Sequence, residues 1–201
     1  MPGDVGPARH QPVSPQNSVL LLVDQQESLL SRIYEAGRTK ANLVTLVRCA
    51  WLLGVPAVMT TALAAGPNGS QLPELTEVFA GQQIIDRTLI NAWLDRRVRD
   101  AVTRTGRAKV LIAGTGLGVC AQLPALASAA EGYDSFVVVD ACGRIEPEPS
   151  VATITRLAQA GVALVTTRVI VLEMMADNAH PKASEIYTTL PAGLVVTDGP
   201  R

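Results

Sequence analysis

The sequence predicts a single-domain, three-layer α/β/α fold built on a mainly parallel six-stranded sheet, and three observations predict it. Short apolar runs alternate with helical segments from residue 18 to about residue 177. The first run, SVLLLV, is apolar at every position after Ser18, as a strand covered on both faces requires. Helical segments close at Gly54, Gly106, Gly132 and Gly161. Strands alternating with helices at this spacing give a parallel sheet with right-handed crossovers and helices on both faces.

Residues 18–23 are too few for a buried helix and form the first strand. Residues 39–53 carry apolar side chains at helical spacing and stop at Gly54. Residues 56–61 give the second strand, 65–70 (AGPNGS) a turn-rich loop, 73–79 a short helix and 83–86 a brief third strand. A helix over 94–105 leads into the fourth strand, 109–113, and a helix over 119–131 into the fifth, 135–139. A helix over 150–160 precedes the sixth strand, 162–166, and a last helix lies near 169–176. A short edge strand is expected around 194–197. Residues 1–17 hold four prolines and read as a flexible N-terminal arm, leaving 18–201 as the one domain.

Composition narrows the function classes. With 48% apolar residues and a net charge of −1, the chain does not resemble a disordered or polyanion-binding protein. Arg96, Arg97 and Arg99 stand beside Asp95 and Asp100 in a helical segment, which reads as a solvated face and not a nucleic-acid patch. No apolar run reaches the roughly 18 residues of a membrane span, and the arm lacks the apolar stretch of a secretory signal. Cysteines at 49, 120 and 142 have no metal-like spacing, so a reduced, cytoplasmic protein is expected.

Sites in open α/β sheets form beyond the carboxyl ends of the strands, and three of these ends carry reactive groups. The first ends in Asp24, the third in Asp86-Arg87, and the fourth runs through Gly114-Thr-Gly116-Leu-Gly118-Val into Cys120. A cysteine at a helix start gains from unsatisfied N–H groups and the positive end of the dipole, both of which favour thiolate. The glycines before it allow a turn that aims backbone N–H groups at one point, as an oxyanion hole requires. The plainer alternative is a cysteine packed under the sheet. A dinucleotide or phosphate loop fits poorly, because the glycine spacing is not G-x-G-x-x-G and no Gly-Lys-Ser/Thr follows.

Leu22-Val-Asp24-Gln-Gln26, Ile112-Ala-Gly-Thr-Gly-Leu-Gly-Val-Cys120 and Glu131-Gly-Tyr-Asp-Ser-Phe-Val-Val-Val-Asp140-Ala resemble the isochorismatase-like cysteine hydrolases. Thr60-Thr61 with Gly66-Pro-Asn-Gly69, and Ile90-Asn91-Ala-Trp93, resemble its YcaC-type bacterial branch. The likeness covers roughly 18–177, collinearly.

It implies a triad with Asp24 as base and Cys120 as nucleophile, and it puts Arg87 where the family has lysine. It also implies a cis peptide at Thr115–Gly116 and an oxyanion hole from the N–H groups of Gly116 and Cys120. Metal-using members carry histidines after the second strand; residues 60–72 have none, so no metal and no cofactor are expected. Gln26, Asn91, Trp93 and Thr115 are candidate substrate contacts. For Gln26 a loop-capping role stays open, and for Trp93 a subunit contact. Cys142 is either a pocket-wall thiol or a redox partner of Cys120.

The function implied is hydrolysis of a small molecule at a C–N bond of amide type, through a thioester on Cys120. Vinyl-ether hydrolysis, or a catalytically silent binding or assembly protein of the same fold, are the alternatives. The resemblance further implies a homo-oligomer, with an octamer among its forms, a small-molecule substrate, and neither nucleic acid nor membrane as partner.

Overall fold

The computed structural model describes residues 11–145 and 151–191. Its sheet contains β1 (Ser18–Val23), β2 (Ala57–Ala62), β3 (Ile84–Arg87), β4 (Lys109–Gly114), β5 (Asp134–Val138) and β6 (Ala163–Val165). All neighbours pair in parallel, in the order β3-β2-β1-β4-β5-β6. The chain lays β2 and β3 outward on one side of β1, then crosses to add β4 on the other. That reversal opens a crevice above the carboxyl ends of β1 and β4.

Helices cover both faces: α1 (Glu27–Leu30), α2 (Ala36–Leu52), α3 (Pro73–Val78), α4 (Arg96–Arg104), α5 (Gln122–Ala130), α6 (Val151–Gln159), α7 (Thr167–Met175) and α8 (Ala183–Thr189). Successive side chains of a strand point to opposite faces, so β1 feeds two cores. Leu20 and Leu22 pack with Leu43, Leu46, Ile170 and Ile186 from α2, α7 and α8. Val19, Leu21 and Val23 pack with Val98, Val102, Ala125 and Leu157 from α4, α5 and α6. Burying each such aliphatic side chain contributes about 1.5–3 kcal/mol before ordering costs. The absence of polar alternation in SVLLLV is the sequence trace of this double burial.

Helix ends follow the glycines. Gly54 sits at φ +73, its N–H donating to the Trp51 carbonyl and that of Val55 to Ala50. This is the glycine-terminated pairing that satisfies the last carbonyls of α2. The same pairing recurs after α5 at Gly132-Tyr133 and after α6 at Gly161-Val162.

Several expectations shift. The third strand extends to Arg87, which becomes its last residue. The helix expected over 94–105 divides, because Asp95 accepts from Arg97 N at 2.9 Å and caps α4, leaving a 3-10 turn at Ala92–Leu94. The helix expected from 119 opens as a π turn, Leu117–Ala121, before α5 begins. The short α1 and α8 were not expected. The end of the arm is not loose: Val13 is buried, and its N–H donates to Glu173 Oε1 at 2.7 Å. Residues 1–10 and the edge strand expected at 194–197 lie outside the described residues. Among the described residues no helix is long and apolar enough to cross a membrane.

Candidate active site

Three strand ends bring Asp24, Arg87 and Cys120 together in the crevice. Asp24, directly after β1, is held at φ +58, a left-handed conformation that aspartate tolerates better than most residues. Its N–H donates to the Thr60 carbonyl at 3.0 Å, and its carbonyl accepts from Gln26 N at 2.8 Å. Arg87 reaches past β2, and its Nη2 lies 2.7 Å from both carboxylate oxygens of Asp24. Its Nη1 donates to the carbonyls of Leu89 and Ile90, the latter at 3.3 Å. Both side chains are almost fully buried, at 1% and 4% exposure. Removing one member of such a pair strands the other's charge, at a cost of about 3–5 kcal/mol.

The Cys120 thiol feels the Asp24 carboxylate electrostatically and is only partly exposed. Burial pushes the thiol up to about 12, with the negative charge of Asp24 adding to the rise and Arg87 opposing it. Cys120 therefore rests as the thiol, against the expectation that a helix start would favour thiolate. The cause is local. Cys120 sits inside a π turn, in front of the buried Asp24, where desolvation and a like charge outweigh backbone dipoles. Burial likewise raises Asp24 above its ordinary 3.8, against the opposing pull of Arg87.

The turn into Cys120 depends on close backbone approach. A Cβ on Gly114 would stand 2.9 Å from both Ala121 N and the Cys120 carbonyl carbon. Gly116 takes φ +120, its carbonyl accepting from Val119 N and Ala121 N, each at 3.2 Å. The Thr115–Gly116 peptide is trans, and no cis peptide occurs among the described residues, so the expected cis bond is corrected. Gly116 makes the reversal through a φ open to glycine, and the chain turns without a cis bond.

Cys120 opens into a cavity of about 430 Å³, within the ordinary range of small-molecule sites. Thr115 and Gly116 line it, with Gly143, Arg144, Ile145 and Thr153 opposite. The four further candidates fare differently. Thr115 is at the wall, though its hydroxyl donates inward to Gln25 Oε1 at 2.8 Å. Gln26 is buried and spends its amide on the loop after β2, accepting from Ala62 N at 2.8 Å and donating to the carbonyls of Ala62 and Gly69. Asn91 Oδ1 caps the 3-10 turn through Trp93 N at 3.0 Å. Trp93 is wholly buried, edge-on to Tyr133 at 5.1 Å. The last three thus lie outside this cavity wall.

Cys142 is buried and lines a neighbouring cavity of about 310 Å³. Asp140 Oδ1 is occupied by Thr167 N and Oγ1 at the start of α7. Sequence reasoning missed Gln25, which links the Asp24 turn to Thr115, and the Gly143–Ile145 wall. The latter follows the end of β5, beside the switch point, and the strand-end rule extended by one strand would have found it.

The isochorismatase domain matches residues 18–169. The chain is 37% identical to the Escherichia coli protein named Probable hydrolase YcaC over 164 residues, 80% of this chain and 79% of that one. It is 27% identical to mouse isochorismatase domain-containing protein 2B, over 89% of this chain and 83% of that one. The crystal structure of Escherichia coli YcaC, an octameric hydrolase of unknown specificity, superposes with a TM-score of 0.86 at 32% identity, covering 90% and 91% of the two chains. That of YcaC from Pseudomonas aeruginosa, with hexane-2,5-diol and covalent acrylamide, gives 0.85 at 32% identity, covering 90% and 92%. A domain match over most of the chain, a parallel sheet with its switch point at Asp24 and Cys120, and these relatives together show that the chain belongs to the isochorismatase family, as a YcaC-like hydrolase.

Proposed function

We propose that the protein hydrolyses a C–N bond of amide type in a small molecule, through a thioester on Cys120. The carrying observation is a Cys120 thiol, opening into a cavity, under the electrostatic influence of a buried carboxylate that Arg87 holds by both oxygens. Asp24 takes the thiol proton as the sulfur attacks the carbonyl carbon, giving a tetrahedral oxyanion. The amine leaves with the proton from Asp24, giving the thioester. Water then attacks, Asp24 accepts its proton and returns it to the departing sulfur, and the acid is released. Burial raises both groups, so the carboxylate is a stronger base toward the thiol than a solvated aspartate would be. Arg87 serves as anchor and counter-charge to Asp24 through its planar fork. The Pseudomonas aeruginosa relative supports a nucleophilic site, since acrylamide is an electrophile of the kind that thiols capture.

The test is a screen of amides, ureides and nitriles, read by mass spectrometry for an acyl adduct on the Cys120 peptide. Cys120→Ala and Asp24→Asn are then assayed on any substrate found. Both are expected to lose at least about 10³-fold in turnover; Cys120→Ala with full turnover would overturn the proposal. We also infer a homo-oligomer, on the octameric Escherichia coli relative and on the exposed Leu63, Leu89, Ile90 and Leu94 beside Arg87. Light scattering at the 21.2 kDa of one chain would overturn that.

A further inference from the structure

Two aliphatic side chains on the wall of the Cys120 cavity stand open to solvent. Val119, the residue before the nucleophile, is 45% exposed, and Ile145, on the segment after β5, is 81% exposed. The buried Leu117 lines the same cavity from within the π turn. One exposed aliphatic residue on a surface is ordinary, but two on the wall of one cavity, with a third buried in it, make an apolar lining. A Cβ on Gly116 would stand 3.5 Å from the Cys120 sulfur, and Leu117 and Val119 follow in the same turn, so the lining starts at the nucleophile.

Two polar side chains of the wall are engaged elsewhere. Thr115 donates its hydroxyl proton to Oε1 of the wholly buried Gln25 at 2.8 Å. Arg144 meets Glu35 Oε2 at 3.2 Å and lies over the Tyr34 ring at 5.6 Å, and Glu35 lines only the neighbouring cavity. Small-molecule sites have this make-up, a mostly apolar lining with a few polar groups at the reacting end. A second copy of the chain seated in the cavity would shut the thiol off from any substrate, so the lining belongs to what the thiol reacts with. In a thioester pathway the amine departs and the acyl group stays on the sulfur, so a wall that starts at the sulfur has to accommodate the acyl chain.

We propose that Leu117, Val119 and Ile145 form an acyl-chain subsite, making the substrate class small amides of aliphatic carboxylic acids. This rests on the hydrolase reading above for its amide, but not for its acyl subsite, and the test separates the two. The p-nitrophenyl esters of acetate, butyrate and hexanoate acylate a thiol directly: the S–C bond forms, the ester C–O bond breaks, p-nitrophenolate leaves, and the thiol proton passes to solvent by way of Asp24. Acylation is timed with each ester, the acyl-Cys120 peptide is identified by mass spectrometry, and each rate is divided by that for glutathione. The normalised rate is expected to rise about two- to fourfold per added methylene, about fourfold being what full burial of one methylene gives. Val119→Thr with Ile145→Thr keeps the branched shape and adds hydroxyls, and is expected to bring the rise below about 1.5-fold per methylene. Val119→Ile is expected to keep it.

A normalised rate that stays flat from acetate to hexanoate overturns the proposal, and so does a rise that survives the double threonine variant unchanged. If Ile145→Thr changes the mass seen by light scattering and leaves the chain-length dependence intact, a second copy covers that side chain and the subsite fails. No acylation of Cys120 by any of the esters overturns both the subsite and the thioester. Amides from acetamide to hexanamide form the second arm, with kcat/KM expected to follow the same rise. If the esters show the rise and no amide is turned over, the C–N reading fails and the acyl subsite stands. If amides are turned over without regard to chain length, the reverse holds.

Discussion

The residue on which the site turns is Asp24, whose backbone is left-handed and whose carboxylate is buried, both costs that no core position needs. Burial raises its pKa and Arg87 lowers it, so the acid limb of kcat/KM belongs to this pair. In the mechanism proposed above Asp24 acts as base and must be ionised, so activity is expected to fall as pH drops through its folded pKa, at a pH above the ordinary 3.8. Arg87→Met removes the lowering influence, so the limb is expected to move to higher pH by about 1–3 units. Arg87→Lys keeps a cation there and is expected to leave the limb near its wild-type position. A pH profile of the three proteins decides it: a limb that stays put in Arg87→Met would show that another group sets it. The sign carries over to stability. A carboxyl raised by folding favours the fold below its unfolded pKa, and that contribution disappears as pH rises through the folded value. Asp24, Arg87 and Cys120 were legible because strand ends are legible. For Gln26 the loop-capping alternative holds, while Asn91 caps a 3-10 turn and Trp93 fills a core, because a side chain next to a site in sequence can turn either way and only packing decides which.

At the scale of elements, the π turn Leu117–Ala121 decides where the sulfur points. The sequence predicts one helix here, and its length is nearly right. Apolar periodicity, however, cannot distinguish a first turn closed by i→i−4 bonds from one in which Ala121 N reaches the Gly116 carbonyl. The glycines held the missing information, since each tolerates a different neighbour. At Gly114 a Cβ would meet backbone at 2.9 Å, and backbone cannot rotate away. Gly114→Ala is thus expected to push Cys120 off the Asp24 carboxylate, costing about 1–3 kcal/mol of stability and at least about tenfold in kcat. At Gly118 a Cβ would meet only Thr153 Oγ1 at 3.4 Å, so Gly118→Ala is expected to stay within about 0.5 kcal/mol in stability. Urea unfolding of both variants, with kcat for the first, is the measurement. Equal stability losses would mean that the turn yields as a whole and that Gly114 has no special place in it.

Across the whole molecule the sheet separates chemistry from stability along the strand axis. The reactive groups stand at the carboxyl ends, and at the amino ends lies a second buried ion pair, Lys109 with Asp134, on facing first residues of β4 and β5. Nothing in the sequence distinguished it: Lys109 opens KVLIA as a solvated strand end would, yet the side chains are 1% and 8% exposed, and the ammonium lies 5.4 Å from the Phe136 ring centre. The strand interior is apolar on both faces, so reading a charge at its border as surface follows local pattern; the covering by neighbouring elements is a property of the assembled sheet. Such a pair rarely stabilises more than well-packed apolar residues would, but half of it is costly. Lys109→Met is expected to lose about 3 kcal/mol by leaving Asp134 buried and alone, and Asp134→Leu added to it to recover most of that loss. Five residue steps of β4 put this pair about 17 Å from the Gly114 end at 3.3 Å per residue, so neither variant is expected to change the iodoacetamide rate of Cys120 while folded. Denaturant midpoints and that alkylation rate, measured on the same samples, test both halves. A double variant as unstable as Lys109→Met would mean that the two charges are not each other's compensation, and a changed Cys120 rate would mean that the two ends of the sheet are coupled.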